Sequence, residues 1–216
     1  MTEFRIPLIG EMAPEFNSAS TMGQINFPAD YKGKWTVLFS HPADFTPVCT
    51  TEFIAFQDKI EEFKKRNVEL IGYSVDWIQS HIAWVNNIKE KFWVEISFPI
   101  VADMSLAFKY GMLQSSADSN HTVRAVFFIN PEGKIRALMY YPLSNGRNID
   151  EILRLIDSLQ MTANHKRATP ANWPENRIFA DRVIVPPASN MAEMAKNTSQ
   201  YECKDWYLCT QSNPNK

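Results

Sequence analysis

Between Trp35 and Leu159 the chain alternates two kinds of apolar pattern, and this alternation restricts the available folds more than any other feature. Trp35-Thr36-Val37-Leu38-Phe39-Ser40 is a short β-prone run, followed by a loop that contains Pro42 and Pro47. From Thr50 the spacing of Phe53, Phe56, Ile60 and Phe63 predicts a helix with one apolar face. Lys64, Lys65 and Arg66 fall in its last turn, where cations complement the helix dipole. Val68 to Val75 predicts a second buried strand. Gln79 to Phe92 predicts a second helix, periodic in Ile82, Val85, Ile88 and Phe92. Phe98 to Val101 predicts a short strand, Ser105 to Tyr110 a short helix, and Ala125 to Ile129 a further strand. Asn130-Pro131-Glu132-Gly133 is a turn signal leading into Ile135 to Tyr141. Asn148 to Leu159 closes the pattern with a helix carrying Ile149, Ile152, Leu153, Ile156 and Leu159.

Helical crossovers between the early strands imply parallel pairing, and the late turn implies an antiparallel pair. The expected class is therefore α/β, with a mixed central sheet flanked by helices in the element order of a thioredoxin-like fold. After about Met161 the pairs Thr169-Pro170, Trp173-Pro174 and Pro186-Pro187 interrupt the chain, and only Asn190 to Lys196 reads as helix. Residues 1–161 are accordingly expected to form the domain and 162–216 a carboxyl-terminal arm. With too little regular structure for its own core, the arm is expected to lie along that domain or on a neighbouring subunit.

A formal charge of −2 and a pI near 6.1 supply no large basic surface, which argues against a duplex nucleic-acid partner. No run approaches the roughly eighteen apolar residues of a membrane span. The first stretch carries Glu3 and Glu11 and lacks the apolar block of a signal peptide, so a soluble, cytoplasmic protein is expected.

Three cysteines occur, Cys49, Cys203 and Cys209, an odd number in a chain large enough to build a core without disulfides. A free cysteine is most often a small buried hydrophobe, and location singles out Cys49. It stands where the strand-loop gives way to a helix, so backbone N–H groups and the positive end of the dipole favour its ionised form. Thr46, three residues earlier, can place a hydroxyl near the sulfur, although Thr at a helix start is commonly a cap. Pro42 can shield the site, although Pro in a loop is commonly only a turn former.

Taken together, Pro42, Thr46 and Cys49 match in type and spacing the signature of the peroxiredoxins: Pro, three residues, Thr or Ser, two residues, Cys. His41 before Pro42 and the run Cys49-Thr50-Thr51-Glu52 resemble the subgroup related to one-cysteine peroxiredoxins and their longer-tailed prokaryotic relatives. The resemblance covers essentially the whole chain. It implies a thiol-dependent peroxidase in which the Cys49 thiolate attacks hydrogen peroxide or an alkyl hydroperoxide and becomes a sulfenic acid, without metal, haem or flavin. It also implies that Arg124, at the start of its strand, faces the sulfur, lowers the cost of its charge and hydrogen-bonds the peroxide. Arg147 and Glu52 are implied as supports of that guanidinium, and His41 as a residue that tunes or binds in the pocket.

The resemblance further implies a resolving thiol, with recycling by an external dithiol protein of thioredoxin type. Similar tails carry a cysteine pair around an Asp-Trp segment, here Cys203-Lys204-Asp205-Trp206-Tyr207-Leu208-Cys209, and their outer cysteine, Cys209, is the expected partner in a disulfide between subunits. Two alternatives stay open: Cys203 and Cys209 bond to each other, statically or as a relay, or both are idle. A homodimer, assembled as five dimers, is implied as well. Relatives readily inactivated by excess peroxide carry a Gly-Gly-Leu-Gly loop and a Tyr-Phe helix, and neither occurs in this sequence. A Cys/His hydrolase, a Cys-x-x-Cys oxidoreductase and a holdase chaperone are competing readings, and they explain fewer of these residues: no local partner motif surrounds His41, His81, His121 or His165, and position 46 is Thr rather than Cys.

Overall fold

The computed structural model describes residues 5–114 and 121–215, which divide into two compact units, Met1–Ile149 and Asp150–Lys216. In the first, β3 (Trp35–Ser40), β4 (Val68–Ser74) and β5 (Ile100–Ala102) pair in parallel. On the other side of β3, β6 (Arg124–Ile129) and then β7 (Ile135–Tyr141) add as antiparallel strands. The mixed sheet and the late hairpin follow the sequence pattern. Every residue of β3 and of β6 is buried, as expected of strands covered on both faces.

An amino-terminal hairpin escapes the pattern. β1 (Phe16–Ser20) and β2 (Gly23–Phe27) extend the sheet through a single pairing of Ser20 with Val101, giving the order β2-β1-β5-β4-β3-β6-β7 among the described residues. Five residues per strand and a polar outer face gave no periodic signal long enough to separate them from loop.

The helix expected from Thr50 is two helices, α1 (Pro47–Asp58) and α2 (Ile60–Lys65), broken at Lys59, whose backbone leaves helical geometry at ψ 8°. Phe53, Phe56 and Phe63 are fully buried, while Ile60 at the break is half-buried. Phe53 closes over β4 at Gly72, where a Cβ would approach its ring to 3.1 Å; the absent side chain lets α1 lie against the sheet. Phe39 from β3 stacks on Phe56, with centroids 4.1 Å apart, and joins Phe53 and Phe98 in one aromatic cluster.

The third helix, α3 (Ile78–Phe92), buries only part of the face its aliphatic periodicity predicted, and buries Ile88 together with His81 and Trp84. Ile82 and Phe92 are exposed at 47% and 49%. α4 (Met104–Lys109) is capped by Asp103, whose carboxylate accepts the Ser105 N–H.

The second unit, Asp150–Lys216, has a small sheet and a small buried cluster of its own. The boundary was expected near residue 161, but α5 (Ile149–His165) lies almost wholly in this unit. It is followed by β8 (Val183–Ile184), α6 (Met191–Gln200), β9 (Glu202–Asp205) and β10 (Leu208–Gln211), with an antiparallel sheet in the order β8-β10-β9. Met161, Trp173 and Val183 form a small buried cluster. The Trp173 indole donates to Asp181 O at 2.8 Å, and Arg154 donates to Trp173 O at 2.9 Å. Strands of two to four residues are too short for a period of two to show in sequence.

Candidate active site

Cys49 reaches its position through the start of α1. Phe45 has a left-handed backbone (φ 56°), an unfavourable state for a bulky residue, and this bend turns the chain from the loop into Thr46. Thr46 is the N-cap with extended backbone, Pro47 is the first helical residue, and the Thr50 N–H bond to Thr46 O at 3.0 Å opens the helical ladder. Cys49 is therefore the third residue of the helix, ahead of that bond, where the partial positive charge of the terminus is concentrated. It is a free thiol and is completely buried.

The Thr46 side chain does not cap the helix. Its hydroxyl donates to Ala43 O at 2.8 Å instead, which fixes the rotamer. Pro42 is buried beside it in the same loop.

One further predicted residue, Arg124, reaches Cys49, and two more, Glu52 and Arg147, join it in one network. Arg124 Nη1 lies 3.4 Å from Cys49 Sγ and 2.6 Å from Glu52 Oε2, while its Nε and Nη2 donate to Leu143 O at 2.9 and 2.7 Å. Arg147 grips the same carboxylate: its backbone N–H and Nε donate to Glu52 Oε1, and Nη2 donates to Oε2, all at 2.8 Å. Its remaining Nη1 donates to Ala125 O at 2.9 Å, and its guanidinium lies 5.2 Å from the centroid of Phe39 and 5.7 Å from that of Phe56. Ser40 ties the two central strands at this end of the sheet, donating to Val123 O and accepting the Ala125 N–H, and so sets Arg124 opposite α1.

The buried charge count is two guanidinium groups to one carboxylate.

Burial opposes ionisation of Glu52, but the charge and hydrogen bonds of Arg147 and the charge of Arg124 outweigh it and hold the carboxyl below its ordinary value of 4.5. A folded-state value below the unfolded one stabilises the fold at pH above 4.5, and that contribution drains away as pH falls through the folded value. Glu52→Gln leaves both arginines with half their partner and is expected to cost about 3 kcal/mol or more at neutral pH. Urea unfolding at stepped pH should show this deficit shrinking as pH falls below 4.5, where Glu52 of the unfolded chain takes up its proton while the folded carboxylate still resists it; a deficit independent of pH would refute the charge argument.

His41 stands apart from the sulfur network. Its buried ring contacts Asp44, with Nε2 to Oδ1 at 2.8 Å, and is stacked on Trp84 at 5.0 Å between centroids. The other Asp44 oxygen is 2.8 Å from Nδ1 of His81, also fully buried. Asp44 and His81 were missed in sequence. The available signal was an acid three residues after His41 in a loop, and His81 on the Trp84 face of α3.

Cys203 and Cys209 are bonded to each other, paired across β9 and β10. Of the pairings left open by sequence, the structure holds the one within the tail, which is consistent with a resolving cysteine there.

A family model described as the AhpC/TSA family matches residues 9–138, and one described as the C-terminal domain of 1-Cys peroxiredoxin matches residues 158–197. A peroxiredoxin of Ignicoccus hospitalis is 57% identical over 97% of this chain and 90% of its own length; one of Aquifex aeolicus is 54% identical over 94% and 96%. The chain belongs to the peroxiredoxin family. Among solved structures, a yeast mitochondrial 1-Cys peroxiredoxin superposes on this peroxiredoxin with a TM-score of 0.84 at 43% identity, covering 95% of this chain and 99% of the other. A peroxiredoxin 6 of Arenicola marina gives 0.83 at 38% identity, covering 97% and 99%. Membership makes the protein a peroxidase, an oxidoreductase with a thioredoxin-like fold. No helix among the described residues is long and apolar enough to cross a membrane.

Proposed function

We propose that this peroxiredoxin reduces hydrogen peroxide and small alkyl hydroperoxides through Cys49. The observation that carries the reading is the Arg124 Nη1 to Cys49 Sγ distance of 3.4 Å inside a buried, doubly cationic network. The thiolate attacks the terminal peroxide oxygen; the S–O bond forms as the O–O bond breaks, and the departing oxygen takes a proton and leaves as water or alcohol. Sulfur is thereby oxidised by two electrons to the sulfenic acid. Arg124 donates to the oxygens on which charge develops, and the fixed Thr46 hydroxyl and buried Pro42 line the approach.

Resolution is assigned to the tail. The Cys209 thiol condenses with the Cys49 sulfenic acid, losing water and forming a disulfide between subunits. The Cys203–Cys209 bond favours a following exchange: Cys203 thiolate attacks the Cys209 sulfur, Cys49 thiolate leaves, and the tail disulfide remains for an external dithiol protein of thioredoxin type to reduce. The exposed Phe45, Trp77, Ile82, Phe92 and Trp93 support self-association, and a pentamer of homodimers acting in the cytoplasm is the proposed form.

The test is non-reducing electrophoresis after one equivalent of peroxide, begun from fully reduced protein. Cys203→Ser is expected to trap a Cys49–Cys209 dimer, and Cys209→Ser to give none. A dimer from Cys209→Ser alone would move resolution to Cys203. Absence of sulfenic acid at Cys49 by mass spectrometry with a sulfenic-acid trap would overturn the peroxidase assignment of this residue.

A further inference from the structure

Asp44 is the hinge of a buried arrangement that the peroxide chemistry above does not use. Its two carboxylate oxygens contact one imidazole each, His41 Nε2 from the catalytic loop and His81 Nδ1 from α3, both at 2.8 Å. Its own N–H donates to Asp76 Oδ2 at 2.9 Å, and Asp76 is in turn held by the Ser74 hydroxyl at 2.8 Å. The outer nitrogens of the rings, His41 Nδ1 and His81 Nε2, are buried and have no hydrogen-bond partner among the described residues.

The arrangement dictates where the protons lie. Burial disfavours the charged form of Asp44, but hydrogen bonds from His41 and His81 outweigh it and keep the carboxyl far below its ordinary range, so Asp44 only accepts. The facing nitrogens must therefore carry the protons, as His41 Nε2–H and His81 Nδ1–H. A second proton on either ring would create a buried, charged donor without an acceptor, which is costly. His41 is then neutral and presents Nδ1 as a bare acceptor. On the main chain, the His41 N–H donates to Tyr73 O at 2.9 Å and its carbonyl accepts the Thr122 hydroxyl at 2.8 Å. With Asp44 anchored to Asp76 as well, the loop is held at His41 and at Asp44, immediately before the left-handed Phe45.

We propose that Asp44 and His81 are positioning residues for this peroxidase: Asp44 fixes the proton of His41 on Nε2, and His81 holds Asp44 in place, so that the loop delivering Cys49 to α1 keeps one geometry. The inference rests on the Cys49 reading above. The same four side chains, His41, Asp44, Asp76 and His81, have potential ligand atoms within 4.8 Å of one another, but they fit a metal poorly. Tetrahedral donors about 2.0–2.2 Å from zinc lie no more than about 3.6 Å apart. Metal-bound imidazoles would also move their protons to the outer nitrogens, which lack the acceptors that such ligands ordinarily find.

The test joins solid-state 15N spectra of histidine-labelled protein, in which only four histidines contribute, to the rate of Cys49 oxidation by peroxide. In the wild type, His41 should carry its proton on Nε2 and His81 on Nδ1. Asp44→Asn offers one ring a donor instead of an acceptor, so one of these rings should change tautomer. Misplacing the loop should slow oxidation by about tenfold to a hundredfold. His81→Leu should slow oxidation similarly, while His81→Asn, which keeps a donor at the Nδ1 position, should restore the rate to within about threefold of wild type. Two variants at separate sites keep the test decisive should Asp44→Asn fail to fold. Wild-type rates in Asp44→Asn and His81→Leu would overturn the proposal, as would protons found on the outer nitrogens or one bound metal per chain in elemental analysis. Failure of wild-type Cys49 to oxidise would instead sink the peroxidase reading, and the tautomer spectra would still report on the network.

Discussion

Cys49→Ser is expected to remove peroxide consumption entirely while leaving the protein folded. Serine fills nearly the same volume at a fully buried position, and its hydroxyl can accept from Arg124 as the sulfur does, so the core and the α1 terminus keep their contacts. What disappears is the nucleophile. A hydroxyl is not ionised at neutral pH, even beside a guanidinium, and oxygen lacks the polarisable lone pair that makes a thiolate reactive towards an O–O bond. Stopped-flow measurement of hydrogen peroxide loss, read alongside circular dichroism, checks both halves. Consumption at the wild-type rate by the folded variant would remove Cys49 from the reaction. Chaperone activity surviving in that variant would favour the holdase alternative.

Arg124→Met should give the second-largest loss, about 10²–10³-fold in the rate of Cys49 oxidation, the usual consequence of deleting one donor aimed at developing charge. Arg124 is more than a nearby cation. Leu143 O accepts from its Nε and Nη2, and Glu52 accepts from Nη1, so the fork is oriented before substrate arrives and little reorganisation remains for the reaction. Arg124→Lys separates charge from geometry. Lysine keeps the positive charge but cannot satisfy Leu143 O, Glu52 and the sulfur together, so an intermediate rate is expected. Equal rates for the methionine, lysine and wild-type proteins would show that the fork plays no part in oxidation.

Those two substitutions also differ in their effect on stability. Arg124→Met leaves Leu143 O without its two donors and leaves Glu52 to Arg147 alone, whereas Cys49→Ser leaves every partner in place. Loss of activity together with a lowered melting point is therefore expected only for the arginine variant. This contrast ties the proposed catalytic role to the packing: the group proposed to orient the peroxide is also part of what joins α1 to β6.

The tail changes how the cycle is read. Sequence shows little regular structure in the tail, yet β8, β9 and β10 form a small sheet, Met161, Trp173 and Val183 a small core, and the two cysteines sit in register across one hairpin. A paired tail suits the proposed exchange, in which reduction of that pair would be a separate event from reduction at Cys49.

The sequence by itself determined the architecture around the sulfur. Long periodic runs located β3, β4, β6, β7 and the main helices, because a strand buried on both faces or a helix with an apolar stripe must write its period into the chain. The spacing of Pro42, Thr46 and Cys49 named the family for the same local reason: all three belong to one loop and one helical turn. The tertiary structure alone decided what those residues touch. Glu52 lies 72 positions from Arg124 and 95 from Arg147, and such contacts leave no periodic trace in a single chain. α3 shows the limit most directly. Its aliphatic residues pointed to a face through Ile82, Val85, Ile88 and Phe92, yet of these only Ile88 is buried, beside His81 and Trp84, because Asp44 supplies a buried partner that makes a histidine acceptable in the core. Burial of a polar side chain depends on its partner, and that partner sits 37 residues away in another element.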